Sequence, residues 1–319
     1  MHEPELKPLF SLIVPAFNAQ ATLEETLSGI ASQSYTDYET IIVDDGSVDG
    51  TSAIAESWIA GCDNARVIHQ ENGGSARAIN TGIHAARGEY VVVNSADDIL
   101  LEDCLKLQKL AIDENSDCKL FCSQVIHFHH SEGWEQPAYS GPMWEYSHKL
   151  KLEELLARRF FGSGITFSRE VAIDLGGYTP GCYAEDFDFY LRAMLRGYDM
   201  WYTKEALARQ RVSDFQKSAR GMNIYHSVVD IIQNALDLDY ISSADKLKLH
   251  VALWDFQGLE GHRNIEQEKA LLEQKESLES LLGRISNRYL RACINILIQV
   301  VKPIARPFRR LMTRNKKAR

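Results

Sequence analysis

The 319-residue chain predicts an α/β fold, a doubly wound, mostly parallel sheet flanked by helices, with an α-helical C-terminal extension. Three observations carry this. Strand and helix patterns alternate four times within the first hundred residues, as in sheets whose parallel strands are joined by crossover helices. The strands among them include short continuous apolar runs, which suit strands buried on both faces. Beyond about Ser213 the pattern becomes wholly helical.

The elements follow in order. Phe10 to Pro15 is a first strand, closed by its proline. Thr22 to Gln33 has helical spacing through Leu23, Leu27 and Ile30, and Thr22 with Glu25 forms the pattern of a capping box. Thr40 to Val43 is the second strand and Thr51 to Ala60 the second helix. Ala65 to His69, Ala76 to Ala86 and Glu89 to Asn94 supply strand, helix and strand again, and Leu100 to Leu110 reads as a helix. Residues 118 to 148 are less regular, with a strand at Phe121 to His129 and an aromatic loop from Trp134 to Tyr146. Lys151 to Arg159 is a short helix, Gly162 to Ser168 a strand, and Phe187 to Gly197 a helix burying Leu191, Met194 and Leu195. Ile265 to Leu282, rich in Glu, Lys and Leu, is a solvated amphipathic helix.

Composition bounds the function. A hydrophobic content of 45% with mixed charge describes a globular chain. The net charge of -9 conceals an asymmetry, because no Asp or Glu follows Ser280 while eleven Lys and Arg do, leaving -20 on the preceding part. An acidic body argues against nucleic-acid binding, and the basic end implies a separate task. The six cysteines form no CxxC pair, which fits buried thiols in a reducing cytosol. The first residues lack the pattern of a signal peptide, and no apolar run reaches the ~18 residues of a membrane span. A cytoplasmic protein, soluble or peripheral on the membrane face, is the expectation.

Five segments carry residue types that chemistry uses. Pro15, Ala16, Phe17 and Asn18 set a rigid turn at the end of strand one, and Asp44, Asp45, Gly46 and Ser47 do so after strand two. In a doubly wound sheet these loops lie side by side, where a carboxylate can accept from a ribose hydroxyl or a base N–H. Asp-Gly-Ser is equally good turn material. Glu71 to Asn80 is a glycine turn opening a helix with Arg77 one turn in, which suits a diphosphate, although Arg77 also fits a surface position. Asp97 and Asp98 follow an apolar strand, led in by Ser95 and Ala96. Two adjacent acids there bind a divalent cation carrying phosphate oxygens, or cap the next helix. Glu185, Asp186 and Asp188 open a later helix, either as ordinary helix charge or with one of them as a general base.

The succession VPAFN, VDDGS, NGGSARAIN, SADD, GGY and ED resembles the family 2 glycosyltransferases, inverting enzymes with the nucleotide-sugar-binding GT-A fold. The resemblance covers residues 9 to 215, about two thirds of the chain. It implies a GT-A catalytic domain over 1–215, with a nucleotide-binding half at 1–110 and an acceptor half at 111–215. A helical extension over 216–283 and a basic amphipathic tail over 284–319 would follow. It implies that Pro15, Ala16, Phe17 and Asn18 cradle the base, that Asp44 and Asp45 contact base and ribose, and that Arg77 meets donor phosphate. Ser95, Ala96 and Asp97 would stand in the DxD position, with Asp97 binding Mn2+ or Mg2+, and Asp186 would be the catalytic base. Asp98, Gly162, Ser163 and Glu185 are placed on the acceptor side, Asp98 either there or ordering its loop. The partners implied are a nucleoside-diphosphate sugar, a UDP-sugar above all, and a glycan or lipid-linked acceptor, with no nucleic acid.

Two departures stand out. Ser95 replaces the first acid of the usual DxD, and the family's Tyr-Arg-x-His segment reads Gln210-Arg211-Val212-Ser213, without the His. The Gln-x-x-Arg-Trp motif of processive synthases is missing too, so single transfers are expected. An alternative reading keeps the fold and loses the chemistry, giving a sugar-nucleotide or glycan-binding module. His127, His129 and His130 border the acceptor side rather than forming a metal cluster, and Trp134, Trp144 and Trp201 either stack on sugar or pack in the core. Tyr289 to Leu311 joins an apolar side to flanking Arg and Lys, a basic amphipathic helix suited to an anionic membrane surface.

Overall fold

The computed structural model describes residues 7–129, 132–138, 145–158, 164–212 and 221–259. Phe160 to Ser163, His130, Trp144, Ser213, the amphipathic helix from Ile265 and the basic tail over 284–319 lie outside the described residues. The chain divides into two compact units, Met1–Phe256 and Gln257–Arg319, and the elements below belong to the first, apart from the last three residues of the final helix.

The strands and helices run β1 (Phe10–Ala16), α1 (Leu23–Ala31), β2 (Tyr38–Asp44), α2 (Thr51–Ile59), β3 (Ala65–His69), α3 (Ser75–Ala85) and β4 (Tyr90–Val93). They continue with β5 (Ile99–Leu100), α4 (Cys104–Glu114), β6 (Cys118–His129), β7 (Trp134–Pro137), β8 (His148–Leu150) and α5 (Leu152–Arg158). Then come β9 (Ile165–Ser168), α6 (Arg169–Asp174), α7 (Glu185–Leu195), β10 (Asp199–Arg211), α8 (Gly221–Leu236) and α9 (Ser243–Leu259). One sheet takes them in the order β3-β2-β1-β4-β9-β6-β10-β5, with β7 on β6 and β8 on β10. The ladders joining β1 to β2 and β4, β2 to β3, and β6 to β10 are parallel. β9 runs antiparallel between β4 and β6, so the sheet is mixed with its long ladders parallel.

Two cores lie against the sheet. Phe10, Leu12, Val14 and Ala16 join one with Leu23, Leu27 and Ile30 of α1 and Leu105 of α4. Ile13 joins the other, with Ile79 of α3, Phe187 and Leu191 of α7, Val228 of α8 and Leu249 of α9. This division follows from the period of two along a strand. On the α3 side the approach is close: a Cβ at Gly82 would lie 2.4 Å from Ile13 Cγ2.

Two expectations are corrected. Leu100 to Leu110 is not one helix: Ile99 and Leu100 pair antiparallel with Arg209 and Ala208, and α4 starts only at Cys104. Sheet pairing overrides the local helical spacing there. Thr22 makes no capping bond to α1, because its hydroxyl donates instead to the carbonyl of Ala96, 2.9 Å away. The long strand β10 carries no clean alternation and is bent by three register shifts, so its pattern does not announce it.

The five described cysteines are free, and burial pushes the Cys104 thiol up to about 12, as befits an inert core group. Among the described residues no helix is long and apolar enough to cross a membrane.

At the amino ends of the strands sits a closed polar cluster. Glu39, 1% exposed, accepts from Ser11 Oγ at 2.6 Å, the Arg87 amide at 2.6 Å, Arg66 Nη1 at 2.6 Å and Arg87 Nε at 3.0 Å. Burial alone would raise its pKa, but these donors and the charge of Arg66 hold it below the ordinary carboxylate range.

Candidate functional site

The opposite end of the sheet gathers the loops that the motifs mark. The ladder from β1 to β4 ends at Ile13 and Val93, so Pro15 lies past it and its missing N–H leaves no gap there. The loop after β1 then clasps the loop after β2. Asp45 N donates to Ala16 O, Asn18 N to Ser47 Oγ, Val48 N to Asn18 Oδ1, Ala19 N to Thr51 Oγ1, and Gly50 N to Gln20 Oε1, all between 2.7 and 3.0 Å. Asn18 holds a left-handed φ of 48°, tolerable for Asn, which leaves Phe17 half exposed at the rim.

Asp44 and Asp45 are deeply buried within this clasp. Asp45 accepts from Gly73 N at 2.9 Å, Gly74 N at 2.8 Å and Gln70 Nε2 at 2.6 Å, fixing the glycine turn. Asp44 accepts from Ser47 N and faces His69 Nδ1 at 3.2 Å. Burial raises the Asp44 pKa, but the bonds from Ser47 and His69 outweigh it and the net shift is downward. The His69 pKa is raised, first by its bond to Glu56, with burial opposing and Asp44 adding to the rise. The Asp44 and Asp45 carboxylates thus anchor these loops.

The loop from Ser95 to Asp98 is held from three sides. Thr22 and Thr26 of α1 both donate to Ala96 O, at 2.9 and 3.0 Å. Asn94 Nδ2 donates to Asp98 O at 3.1 Å, and Asp98 N closes the turn onto Ser95 O at 3.1 Å. From β10, Arg211 N donates to Asp98 Oδ1 at 2.8 Å and Arg211 Nε to Asp97 O at 3.1 Å. Asp98 is 2% exposed and orders the loop, while Ser95 is exposed and Asp97 partly so. Neither acid caps α4, whose N-cap position is Asp103.

The first turns of α3 and α7 are joined. Ser75 Oγ donates to Glu185 Oε1 at 2.5 Å. Asn80, one turn and a half further along α3, grips the backbone of Tyr178 twice: Nδ2 donates to Tyr178 O and Tyr178 N to Oδ1, both at 2.8 Å. Gly177 makes this possible, since its φ of +78° favours glycine and a Cβ there would lie 2.3 Å from Asn80 Oδ1. Tyr178 stacks on Phe189 of α7, ring centroids 4.7 Å apart. Burial first, and then the charges of Asp186 and Glu185, keep its hydroxyl protonated far above the ordinary range.

Of the three acids opening α7, two belong to the scaffold. Glu185 is taken by Ser75, and Asp188 accepts from Thr179 Oγ1 at 2.6 Å and Arg192 Nε at 2.9 Å. Asp186 is less buried than either and sits beside Tyr178. Arg77 is exposed, its side chain folded over Gly73. Gly162 and Ser163 lie outside the described residues. His127 Nε2 pairs with Gln210 Oε1 at 3.0 Å, and His129 stacks on Trp134. Among the described residues no group of three or more His, Cys, Asp or Glu is arranged to hold a metal ion.

Sequence reasoning passes over Thr22, Thr26, Asn80, Tyr178 and Arg211 as site residues. Asn80 and Tyr178 close the NGGSARAIN and GGY segments, so their motifs point to them; the two threonines carry no local signal beyond helix spacing.

The sequence model of Glycosyl transferase family 2 matches residues 11–176 of this chain. Over 129 residues the chain is 34% identical to "Glycosyltransferase GlyG" of Streptococcus pneumoniae, a match spanning 40% of this chain and 42% of that relative, less than half its length. S. aureus TarS 1–349, solved in complex with UDP-GlcNAc, superposes with a TM-score of 0.66 at 20% identity, over 81% of this chain and 77% of TarS. The mannosyltransferase PcManGT from Pyrobaculum calidifontis, solved with GDP-Man and Mn2+, superposes with a TM-score of 0.60 at 20% identity, over 86% and 81% of the two chains. These likenesses mark the mixed sheet and its flanking helices as a GT-A fold.

Proposed function

The chain belongs to glycosyl transferase family 2, and from that premise we propose that it moves a sugar from a nucleoside-diphosphate sugar to an acceptor hydroxyl, with inversion at the anomeric carbon. One observation carries the reading: of the paired acids that end β2, follow β4 and open α7, the scaffold buries Asp44, Asp45, Asp98, Glu185 and Asp188 and leaves Asp97 and Asp186 more open. Those two are the groups that donor and acceptor chemistry requires.

In this reading the base lies at the rim formed by Pro15, Ala16, Phe17 and Asn18, with Asp44 and Asp45 holding that rim and the glycine turn in place. Arg77 and the first amides of α3 face the diphosphate, where a helix N-terminus favours negative charge. Asp186 takes the proton of the acceptor hydroxyl as its oxygen bonds to the anomeric carbon. The bond to the donor phosphate breaks, and the nucleoside diphosphate leaves with its electron pair.

A divalent ion fits one way only. One partly exposed carboxylate, Asp97, with Ser95 beside it and no cluster of three ligands among the described residues, suits Mn2+ or Mg2+ that arrives with substrate phosphates rather than an ion held by the protein alone. Bound so, the ion neutralises charge that develops on the departing diphosphate. The acceptor, a glycan or lipid-linked sugar, would approach past Glu185 and the segment holding Gly162 and Ser163. Contact of residues 284–319 with the cytoplasmic face of a membrane belongs to the same proposal.

A thermal-shift screen of nucleoside-diphosphate sugars with and without Mn2+ tests donor binding, and hydrolysis of the best binder tests chemistry. Ser95 in place of an acid favours a second reading, a binding module without catalysis. Donor hydrolysis by the native chain that disappears in Asp186→Asn rules that reading out; binding with no turnover by either form establishes it.

A further inference from the structure

Arg211 occupies a position that the donor chemistry leaves unexplained. It is the last residue of β10, yet its side chain is only 11% exposed and its guanidinium lies 4.7 Å from the ring centroid of Phe128 in β6. From there it reaches the metal loop and helix α1 together: Nε donates to Asp97 O at 3.1 Å and Nη2 pairs with the Glu25 carboxylate. Its amide binds Asp98 Oδ1. With Thr22 and Thr26 holding Ala96 O from α1, the peptide groups on both sides of the Asp97 α-carbon are fixed.

The substitution at Ser95 gives this clamp its importance. With a hydroxyl where a second acid would help, the aim of Asp97 alone sets how well a metal-bound diphosphate is held. Resting on the donor reading above, we infer that Arg211 is a positioning residue that orients Asp97 toward the metal-bound diphosphate of the donor. A planar guanidinium flat on Phe128 serves two acceptors in fixed directions, which a lysine ammonium cannot do. Groups that orient a metal ligand commonly alter metal affinity ten- to a hundredfold when changed.

Calorimetric titration of the full chain with UDP and with GDP, each in Mn2+ and each in EDTA, separates metal-assisted from metal-free affinity. In Arg211→Lys the Mn2+-assisted affinity for the tighter nucleotide falls about tenfold, while affinity in EDTA and the thermal midpoint stay near the native values. Unchanged affinity in Mn2+ overturns the assignment. So does an equal loss with and without Mn2+, which marks a residue that only supports the fold. Should Arg211→Lys not fold, Glu25→Gln on the surface of α1 frees the guanidinium at one end. A two- to threefold loss confined to Mn2+ supports the inference, and no loss overturns it. A native chain that binds neither nucleotide in Mn2+ removes the donor reading, and this assignment with it.

Discussion

The strand β2 carries buried acid at both ends, Glu39 at its start and Asp44 at its close, and the two ends treat it differently. At the amino end one carboxylate, Glu39, meets two arginines, a serine hydroxyl and a backbone amide, and the cluster is closed. At the carboxyl end Asp44 and Asp45 are satisfied chiefly by amides and by His69 and Gln70, with little cationic charge to balance them. Amides fix geometry without cancelling charge. The amino end is thus built for stability, while at the carboxyl end Asp97 and Asp186 stay less buried than Asp44, Asp45 and Asp98, the arrangement that the proposed donor chemistry uses.

If that contrast is right, Glu39→Ala should cost the most stability and no chemistry. About 3 kcal/mol is expected, because Ser11 and the Arg87 amide lose their acceptor in a buried place while Arg66 and Arg87 can turn to solvent. Urea unfolding reads this; a loss below about 1 kcal/mol would show that the cluster is decorative. Turnover per folded molecule should not change.

The converse substitution is Asp186→Asn, expected to lower transfer about a hundredfold or more while unfolding stays within about 0.5 kcal/mol of native. A stability loss as large as that of Glu39→Ala would mean that Asp186, too, is a structural acid. Gly177→Ala lies between the extremes. It forces a Cβ into a left-handed position against Asn80, and about 1–3 kcal/mol of stability should go with part of the activity. Rate and thermal midpoint should fall together, since Tyr178, the next residue, stacks on Phe189 of α7, the helix that carries Asp186; a variant that loses stability and keeps full rate would uncouple the two.

The smallest effect is a pH dependence at the carboxyl end. The raised pKa of His69 gives a contribution fully present below about pH 6.5 and lost as pH rises through its folded value. The depressed pKa of Asp44 gives one present above about pH 4 and lost as pH falls through its folded value. Native chain and His69→Gln should therefore differ most between about pH 4 and 6.5, by about 0.5 kcal/mol or less because His69 is half exposed. A difference that grows above pH 7 would reverse the sign and remove the pairing as its cause.

How much of this was legible depends on the range of the interaction. Apolar runs such as Tyr90–Val93 and glycine turns such as Gly73–Gly74 encode their conformation within a few residues, so the first four strands and the loops after them stand where the pattern puts them. The strand β10 escaped because its three register shifts spoil the alternation that marks a strand. Leu100 misled because two residues of sheet pairing outweighed a helical spacing.

The sequence by itself determined the class of fold, the crevice at the carboxyl ends of the strands, and which segments meet there. Tertiary structure alone assigned each acid its work. Asp98 meets the Arg211 amide across 113 residues of chain, and Glu185 meets the Ser75 hydroxyl across 110. A carboxylate in a motif looks the same locally whether it will be buried and bonded or left open. Its role follows from donors that only folding brings within hydrogen-bond reach.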